Sequence, residues 1–297
     1  ARAEPETSNA RGGVMSSAVT ILKGVTATRS GKIGVVLVGF HLLLALVAPW
    51  LVPYEFDAQT AVIDHAGPSL AHWAGLDTLG RDVLTRTLLG GREALLVTIF
   101  GTGLAVVWGS FFGVLAGYLG GRIDELIMRS VDIFLAIPWM IFLLLVIASF
   151  GNAPMVMILT LGFFYGIGVV RMARAATLEV VVKDYVLAAK ARGERPLSIM
   201  MTEILPNVRD VLMVESAMRW SWMLLAFSAL SFLGFGVTPP TPDWGLMIAN
   251  SRIYLALAPW PVLMPMIALS SLIIGINLTA DALAKSLGVD KTTRALV

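Results

Sequence analysis

Long apolar runs constrain this sequence more than any other feature. Each is roughly 20 residues long, which at 1.5 Å per residue covers the hydrocarbon core of a bilayer. The runs are 33–52, 94–119, 127–150, 155–170, 211–235 and 261–283. Because an unpaired backbone group costs several kcal/mol in hydrocarbon, such segments must form helices or a closed barrel. The runs do not alternate as barrel strands do, so we predict an all-α polytopic membrane protein with about six transmembrane helices.

The composition excludes a water-soluble globule of this size. Hydrophobic residues make up 57% of the 297 residues and charged residues only 14%, against roughly a quarter charged in an average soluble domain. The net charge of +2 and the scatter of basic residues over several loops give no footprint for nucleic acid. The chain has no cysteine, and His41, His65 and His72 lack metal-ligand spacing, so we expect no metal site.

The basic residues predict the orientation. With the amino terminus in the cytoplasm, most Lys and Arg side chains lie inside, and the positive-inside rule is obeyed. The exceptions are Arg81, Arg86, Arg92 and Arg252 in external loops and Arg219 within a span. Both termini are then cytoplasmic. The first 32 residues lack a signal-peptide pattern, so the first span is expected to be an uncleaved anchor.

The chain divides at the ends of these runs. We assign 1–32 to a cytoplasmic segment, 33–52 to the first span, 53–93 to an external loop, 94–283 to a core domain and 284–297 to a cytoplasmic tail. The core domain contains a long internal loop, 171–210, and a Pro-rich external loop, 238–260. A soluble-facing loop of about 40 residues indicates a partner outside the bilayer.

The internal loop reads as helix, break, helix. Gly193 suits a left-handed cap, Pro196 suits the first turn of the next helix, and Pro206 is expected to end that helix. Ala188 and Ala189 leave one face small enough for close approach.

This loop resembles the EAA loop of ABC importer permeases. Ala188, Ala189 and Gly193 match the first part of that pattern, and Ile204-Leu205-Pro206 match its end. The resemblance implies a coupling helix that docks on an ATPase subunit. The implied coupling residues are Leu187, Ala188, Ala189, Lys190, Arg192, Gly193, Ile204, Leu205 and Pro206. Leu187 stands where the family has glutamate, and the alternative is an ordinary amphipathic cytoplasmic hairpin.

Two external stretches, 72–86 and 230–245, are similar to the C-type permease of dipeptide, oligopeptide and nickel importers. The resemblance implies a type I ABC importer permease fold and an external gate or docking surface for a binding protein. The implied residues are Gly80, Arg81, Asp82, Pro239, Pro240, Pro242, Asp243 and Trp244. The prolines favour a stiff, polyproline-like ledge. The alternatives are a solvated helix cap for Gly80–Asp82 and an interfacial aromatic anchor for Trp244.

Glu215 and Arg219 are candidates for the translocation pathway. They are four residues apart on one helical face and can pair, and ionisable residues at membrane depth usually face a cavity or the protein interior. A structural ion pair is the alternative interpretation.

The sequence contains no P-loop and no hydrolase motif, so we expect no catalytic residue and no cofactor on this chain. The resemblance implies that ATP and Mg are bound by partner ATPase subunits. It also implies a paralogous permease, an extracytoplasmic substrate-binding lipoprotein and a bacterial inner membrane as the setting. The expected cargo is di- or oligopeptides, with nickel chelates or haem as alternatives. An ion-coupled secondary transporter and an assembly scaffold are the competing classes.

Overall fold

Every regular element in the described part of the chain is helical. The computed structural model describes residues 20–60 and 66–289. The α-helices are α1 (Arg29–Leu51), α2 (Val83–Leu89), α3 (Gly91–Leu119), α4 (Gly121–Ala136), α5 (Trp139–Phe150), α6 (Pro154–Val180), α7 (Asp184–Ala191), α8 (Pro196–Ile199), α9 (Leu205–Phe232), α10 (Trp244–Ser251) and α11 (Trp260–Ser286). Met200–Ile204 forms a π-helical turn and Arg252–Tyr254 a 3₁₀ turn. His65 and the ends of the predicted terminal segments lie outside the described residues.

The predicted membrane class is confirmed. Among the described residues, four helical segments are long and apolar enough to cross a bilayer: α1, the Val83–Leu119 stretch that α2 and α3 form, α6 and α11. The α4–α5 pair adds a fifth if it counts as one bent span. Helix α9 has 28 residues, but Glu215 and Arg219 lower its hydropathy. The chain is therefore an all-α multi-pass membrane protein, while the number of six spans stays a prediction.

The apolar run 127–150 is not one continuous helix, and its crossing of the bilayer as a single span stays a prediction. Helix α4 ends at Ala136, and α5 leaves at 85° to it after Ile137 and Pro138. Ile137 is extended, with φ −81° and ψ 126°. The residue before a proline is disfavoured in the helical region, and the proline itself has no N–H for the next turn. The apolar run therefore folds into an elbow.

Helices α3 and α6 pack closely and run in parallel. A Cβ added at Gly109 would lie 2.6 Å from Cβ of Val169, and one at Gly117 would lie 2.7 Å from Cβ of Thr177. Small residues recur on this face of α3 every four positions, at Gly101, Ala105, Gly109, Gly113 and Gly117. Such a stripe lets two backbones approach closely in a bilayer, where packing rather than hydrophobicity drives association.

The other long helices complete the bundle around α9. Helices α1 and α11 are antiparallel, since Gly34 meets Thr279 and His41 meets Ser271. Helix α9 contributes a buried apolar face to the central core, which it shares with α3, α5, α6, α10 and α11. The bundle has two distinct ends. Helix α7 packs at the end where α3 and α6 finish, here called the α7 end, and α10 packs at the opposite end, here called the α10 end.

Candidate functional site

Helix α7 is bound to the bundle by one face only. Val186 and Ala189 are fully buried in an apolar cluster with Val114 of α3 and Val169 and Ala173 of α6. The opposite face is exposed and includes Tyr185, Leu187 and Ala188, with Leu187 49% exposed. The ammonium of Lys190 lies 4.8 Å from the ring centroid of Tyr118, which ties the helix to the end of α3. The helix is thus anchored from behind and open in front.

Gly193 ends α7 as predicted. Its φ is +74°, in the left-handed region that glycine adopts without strain. The N–H of Gly193 donates to the carbonyl of Lys190 at 3.0 Å, and the N–H of Glu194 donates to that of Ala189 at 3.3 Å. These two bonds form a Schellman motif, which satisfies carbonyls at the helix end. Glu194 also pairs with Arg192 at 2.6 Å.

Pro196 begins α8 as predicted, but Pro206 does not end a helix. Helix α8 continues through the π turn into α9, where Pro206 lies in the first turn. The N–H of Leu205 donates to the carbonyl of Met200, five residues earlier. A proline at the start of a helix loses nothing, because its missing N–H would have no partner there. Helix α8 is therefore joined to the full length of α9 without a loop, and residues 192–195 connect α7 to α8.

The structure divides the predicted coupling residues into two groups. Ala189 and Ile204 are buried in the chain's own core, and Leu205 is half-buried, so the expectation that Ala188 and Ala189 share one approachable face is wrong. The exposed residues are Leu187, Ala188, Lys190, Arg192, Gly193 and Pro206. Leu197 and Met201 also expose large apolar side chains beside α7 and were missed by the sequence analysis. Their position among polar neighbours in a soluble-facing loop was the available signal.

A buried charge cluster holds the loops at the α10 end. The Asp77 carboxylate pairs with Arg81 at 2.8 Å and lies 3.8 Å from Arg86. Arg86 in turn donates to the carbonyl of Phe56 at 2.7 Å and to that of Pro240 at 3.1 Å. These bonds tie the segment after α1 to the Pro-rich segment before α10. Arg81 is buried, so its expected exposure on a docking surface is wrong.

Gly80 and Asp82 form a turn and a helix cap. Gly80 has φ +70°, and the Asp82 carboxylate accepts from the N–H of Thr85 at 2.7 Å as the N-cap of α2. The other Asp82 oxygen lies 2.9 Å from Nδ1 of His72. The predicted cap is confirmed, but Gly80 and Asp82 are buried rather than solvated.

Asp243 and Trp244 are core residues. Each is 1% exposed, and the indole N–H of Trp244 donates to the carbonyl of Thr87 at 2.8 Å. The Trp244 ring packs where a Cβ on Gly91 would lie 2.6 Å away. The predictions of a docking surface and of an interfacial anchor are therefore both wrong for Trp244. Pro242 is buried as well, while Pro239 and Pro240 are exposed.

The Asp243 carboxylate begins α10 by accepting from the N–H of Leu246 at 3.0 Å. Burial raises the pKa of the Asp243 carboxyl from 3.8 to about 6, and the negative charge of Glu93 adds to the shift. The hydrogen bond from Leu246 favours the charged form but does not offset the loss of water.

Glu215 and Arg219 are paired, as predicted, and lie beside a cavity. Nε of Arg219 donates to a Glu215 carboxylate oxygen at 2.5 Å. Arg219 borders a cavity of about 720 Å³ between the α4–α5 elbow, α6 and α9. Gly168 lies directly against the guanidinium, since an added Cβ would be 2.6–2.7 Å from its atoms.

Metal-ligating side chains do not converge anywhere in residues 20–60 and 66–289. His, Asp and Glu form no group of three or more there that could hold a metal ion.

Comparison with known families places most of these features inside one matched region. The family described as "Binding-protein-dependent transport system inner membrane component" matches residues 109–289. That region contains α7, the π turn, α9 and the residues around the cavity.

Named proteins align over an even longer stretch. The oligopeptide transport system permease protein OppC of Haemophilus influenzae is 31% identical over 254 residues, covering 85% of this chain and 82% of that protein. The di/tripeptide transport system permease protein DppC of Pseudomonas aeruginosa is 34% identical over 270 residues, or 88% of each chain. The glutathione transport system permease protein GsiD of Pectobacterium atrosepticum is 33% identical over 255 residues, or 84% of each chain.

Proposed function

The chain belongs to the family of binding-protein-dependent transport system inner membrane components, and we propose that it forms half of the translocation pathway of an ATP-driven peptide importer. It is a multi-pass membrane permease subunit. The observation that carries the proposal is helix α7, which is anchored to α3 and α6 on one face and exposed on the other.

Helix α7 couples the chain to an ATPase subunit. The exposed side chains of Tyr185, Leu187 and Ala188 fill a groove on the ATPase, and Leu197 and Met201 extend the apolar contact. No glutamate is needed at position 187, because a short helix with an apolar face can bury that face in a groove. Movement of the ATPase then reaches α3 and α6 through their contacts with α7, and reaches α9 through the continuous π turn.

The remaining partners follow from the type of transport system. Relatives of this kind work with ATPase and binding-protein subunits in general. We assign to this chain a related second permease that completes the pathway, two ATPases that hold ATP and Mg, and a substrate-binding lipoprotein. The setting is a bacterial inner membrane with the α7 end in the cytoplasm. Pro239 and Pro240 form the exposed part of the surface that receives the lipoprotein.

The proposed cargo is a short peptide. The three relatives above are named for oligopeptides, di/tripeptides and glutathione, and all of these compounds have amide bonds and at least one free carboxylate. This shared chemistry favours peptides over nickel chelates and haem as the proposed cargo. Glu215 is paired with Arg219 and is therefore not available for a coupling ion. This pairing favours an ATP-driven mechanism over an ion-coupled one.

Cross-linking from α7 tests the coupling. The chain has no cysteine, so Leu187→Cys carries a photoreactive maleimide at a single site. In the complex of both permeases and the ATPases, illumination is expected to join this site to an ATPase subunit. Val186→Cys is the matched control. Position 186 is next to 187 in the sequence, but its side chain faces the chain's own core and should give no such adduct.

The same complex in proteoliposomes, supplied with its binding protein, is expected to import a tripeptide only when ATP is present. Uptake that ran on a proton gradient without ATP would replace the proposal by a secondary transporter. An adduct of Leu187→Cys with lipid and none with an ATPase would contradict the role of α7.

A further inference from the structure

The cavity between α5, α6 and α9 contains a single charged side chain. It is lined by Leu135, Ile137, Pro138, Trp139, Met140, Phe164, Tyr165, Gly168, Arg219, Trp222, Leu225, Ala226 and Ala229. Among these described residues Arg219 alone is ionisable at neutral pH, and the rings of Trp139, Tyr165 and Trp222 make up much of the remaining wall. A chamber of this kind combines broad apolar contact with one strong polar anchor.

Arg219 lies deep in the bundle. It stands halfway along α9 (Leu205–Phe232), and Gly168, which it contacts, stands halfway along α6 (Pro154–Val180). The helix begins six residues before the apolar run 211–235, so Arg219 lies deeper along the helix than along the run. A cation at this depth is costly, and such residues are found where they serve a pathway or a ligand.

The ion pair with Glu215 uses only one edge of the guanidinium. Nε of Arg219 donates to Glu215 at 2.5 Å, and within residues 20–60 and 66–289 the terminal nitrogens make no further hydrogen bond. The partners also differ in exposure: Glu215 is 7% exposed, while Arg219 borders the cavity. A purely structural pair has no need of this asymmetry, in which the anion is enclosed and the cation is presented.

Gly168 sets the position of the guanidinium. Its missing side chain leaves room for Cζ, Nη1 and Nη2 of Arg219 against the backbone of α6, where a Cβ would come within 2.6–2.7 Å of all three. The ionic bond to Glu215 holds the other edge. The two contacts together fix the planar guanidinium of Arg219, with its two terminal nitrogens as donors, at the wall of the cavity.

We propose that Arg219 binds the carboxylate of a peptide in transit through its two terminal nitrogens. The planar fork of arginine matches a carboxylate in a bidentate manner, and the apolar wall strengthens the attraction by lowering the local dielectric constant. The free carboxylate is the group that oligopeptides, di/tripeptides and glutathione share, whatever their side chains. Glu215 is a positioning residue that neutralises part of the charge, so that the carboxylate is held weakly enough to leave. This inference rests on the proposed function, since it names the contact made by the imported peptide.

The test compares a tripeptide that has a free carboxyl terminus with the same tripeptide as its carboxamide. Uptake of each is measured in proteoliposomes that contain the complete transporter, with both ligands saturating the same wild-type binding protein. Because every variant receives the same binding protein, any preference of that protein for the acid or the amide affects all variants equally. Differences in the acid-to-amide uptake ratio between variants then come from the permease. Arg219→Gln is expected to lower this ratio about tenfold, because a charged hydrogen-bond pair is lost only for the acid.

Arg209→Gln is the matched control, since it removes an arginine from the same helix outside the cavity and should leave the ratio at its wild-type value. Gly168→Ala provides a second variant if Arg219→Gln does not assemble, because the added methyl displaces the guanidinium and should lower the same ratio. An unchanged ratio in the assembled variant overturns the inference, even if uptake of both peptides falls. A wild-type complex that imports neither peptide with ATP overturns the proposed function and this inference with it.

Discussion

Arg219 and Asp243 are ionisable side chains that the fold shields from water to different extents, since the Arg219 side chain is 28% exposed and Asp243 is 1% exposed. Arg219 keeps an ionic partner and a cavity. Asp243 is enclosed at the start of α10, where its carboxylate accepts from Leu246 but faces the negative charge of Glu93. The enclosure of Asp243 raises the pKa of its carboxyl and so favours the protonated form.

Asp243→Asn is expected to stabilise the protein more at pH 7.5 than at pH 5. The raised pKa means that the folded state binds more protons than the unfolded state between pH 3.8 and about 6. Stability from this group is therefore complete below pH 3.8 and is lost as the pH rises through 6, by about 3 kcal/mol in all, of which about half is lost between pH 5 and pH 7.5. Asparagine retains the N-cap and carries no charge. Thermal unfolding of the complex in nanodiscs at the two pH values measures the difference.

Asp281→Asn serves as the control for this experiment, because it removes one carboxylate at an exposed position. Equal effects of Asp243→Asn at pH 5 and pH 7.5 would contradict the raised pKa of Asp243.

Individual side chains were harder to predict than the helices that carry them. Ala188 and Ala189 are identical in the sequence, yet they point about 100° apart around α7, so that one is exposed and the other buried. Trp244 was predicted at a surface because tryptophan is common at membrane boundaries. Its burial depends on space left by Gly90 and Gly91, which are distant in the sequence, and no local pattern contains that information.

At the scale of elements, apolar runs predicted most of the long helices, while two prolines gave opposite results. Pro138 follows an extended residue and produces the 85° elbow. Pro206 follows a π turn and begins α9, where its missing N–H is not needed. Hydropathy treats both positions alike. The difference lies in the backbone of the preceding residue, which tertiary packing decides.

Gly113→Ala is expected to destabilise the bundle by about 1–3 kcal/mol, because its Cβ would lie 2.5 Å from the carbonyl oxygen of Val170 and force α3 away from α6. Gly103→Ala is the matched control on the same helix. A Cβ there meets nothing within 4 Å, so this change should be neutral or slightly stabilising. Thermal aggregation of detergent-solubilised complexes gives the comparison. Equal midpoints for the two variants would show that α3 and α6 are not closely packed.

At the scale of the whole molecule, the two ends of the bundle differ in construction. The α10 end is closed by buried charges and by Trp244. The α7 end exposes Leu187, Leu197 and Met201 in a segment that carries several basic residues. This polarity agrees with the orientation that the positive-inside rule predicts.

Labelling of single cysteines with a membrane-impermeant maleimide tests that orientation. Leu70→Cys lies at the α10 end, where the native side chain is 97% exposed, and it should react in intact cells. Arg122→Cys lies in the exposed first turn of α4 and should react only after the membrane is permeabilised. The wild-type chain has no cysteine and provides the blank. The reverse labelling pattern would invert the assignment of the two ends.

The glycine stripe between α3 and α6 also limits how the subunit can move. The backbones of α3 and α6 are in contact from Gly101 to Gly117. If one helix slid along the other by even one residue, side chains would clash with main chain, so the two helices must move as one rigid unit. Helix α3 has 29 residues and is about 43 Å long. A sideways push of a few ångströms on its α7 end would therefore be transmitted through the α3–α6 pair to the α10 end of the bundle.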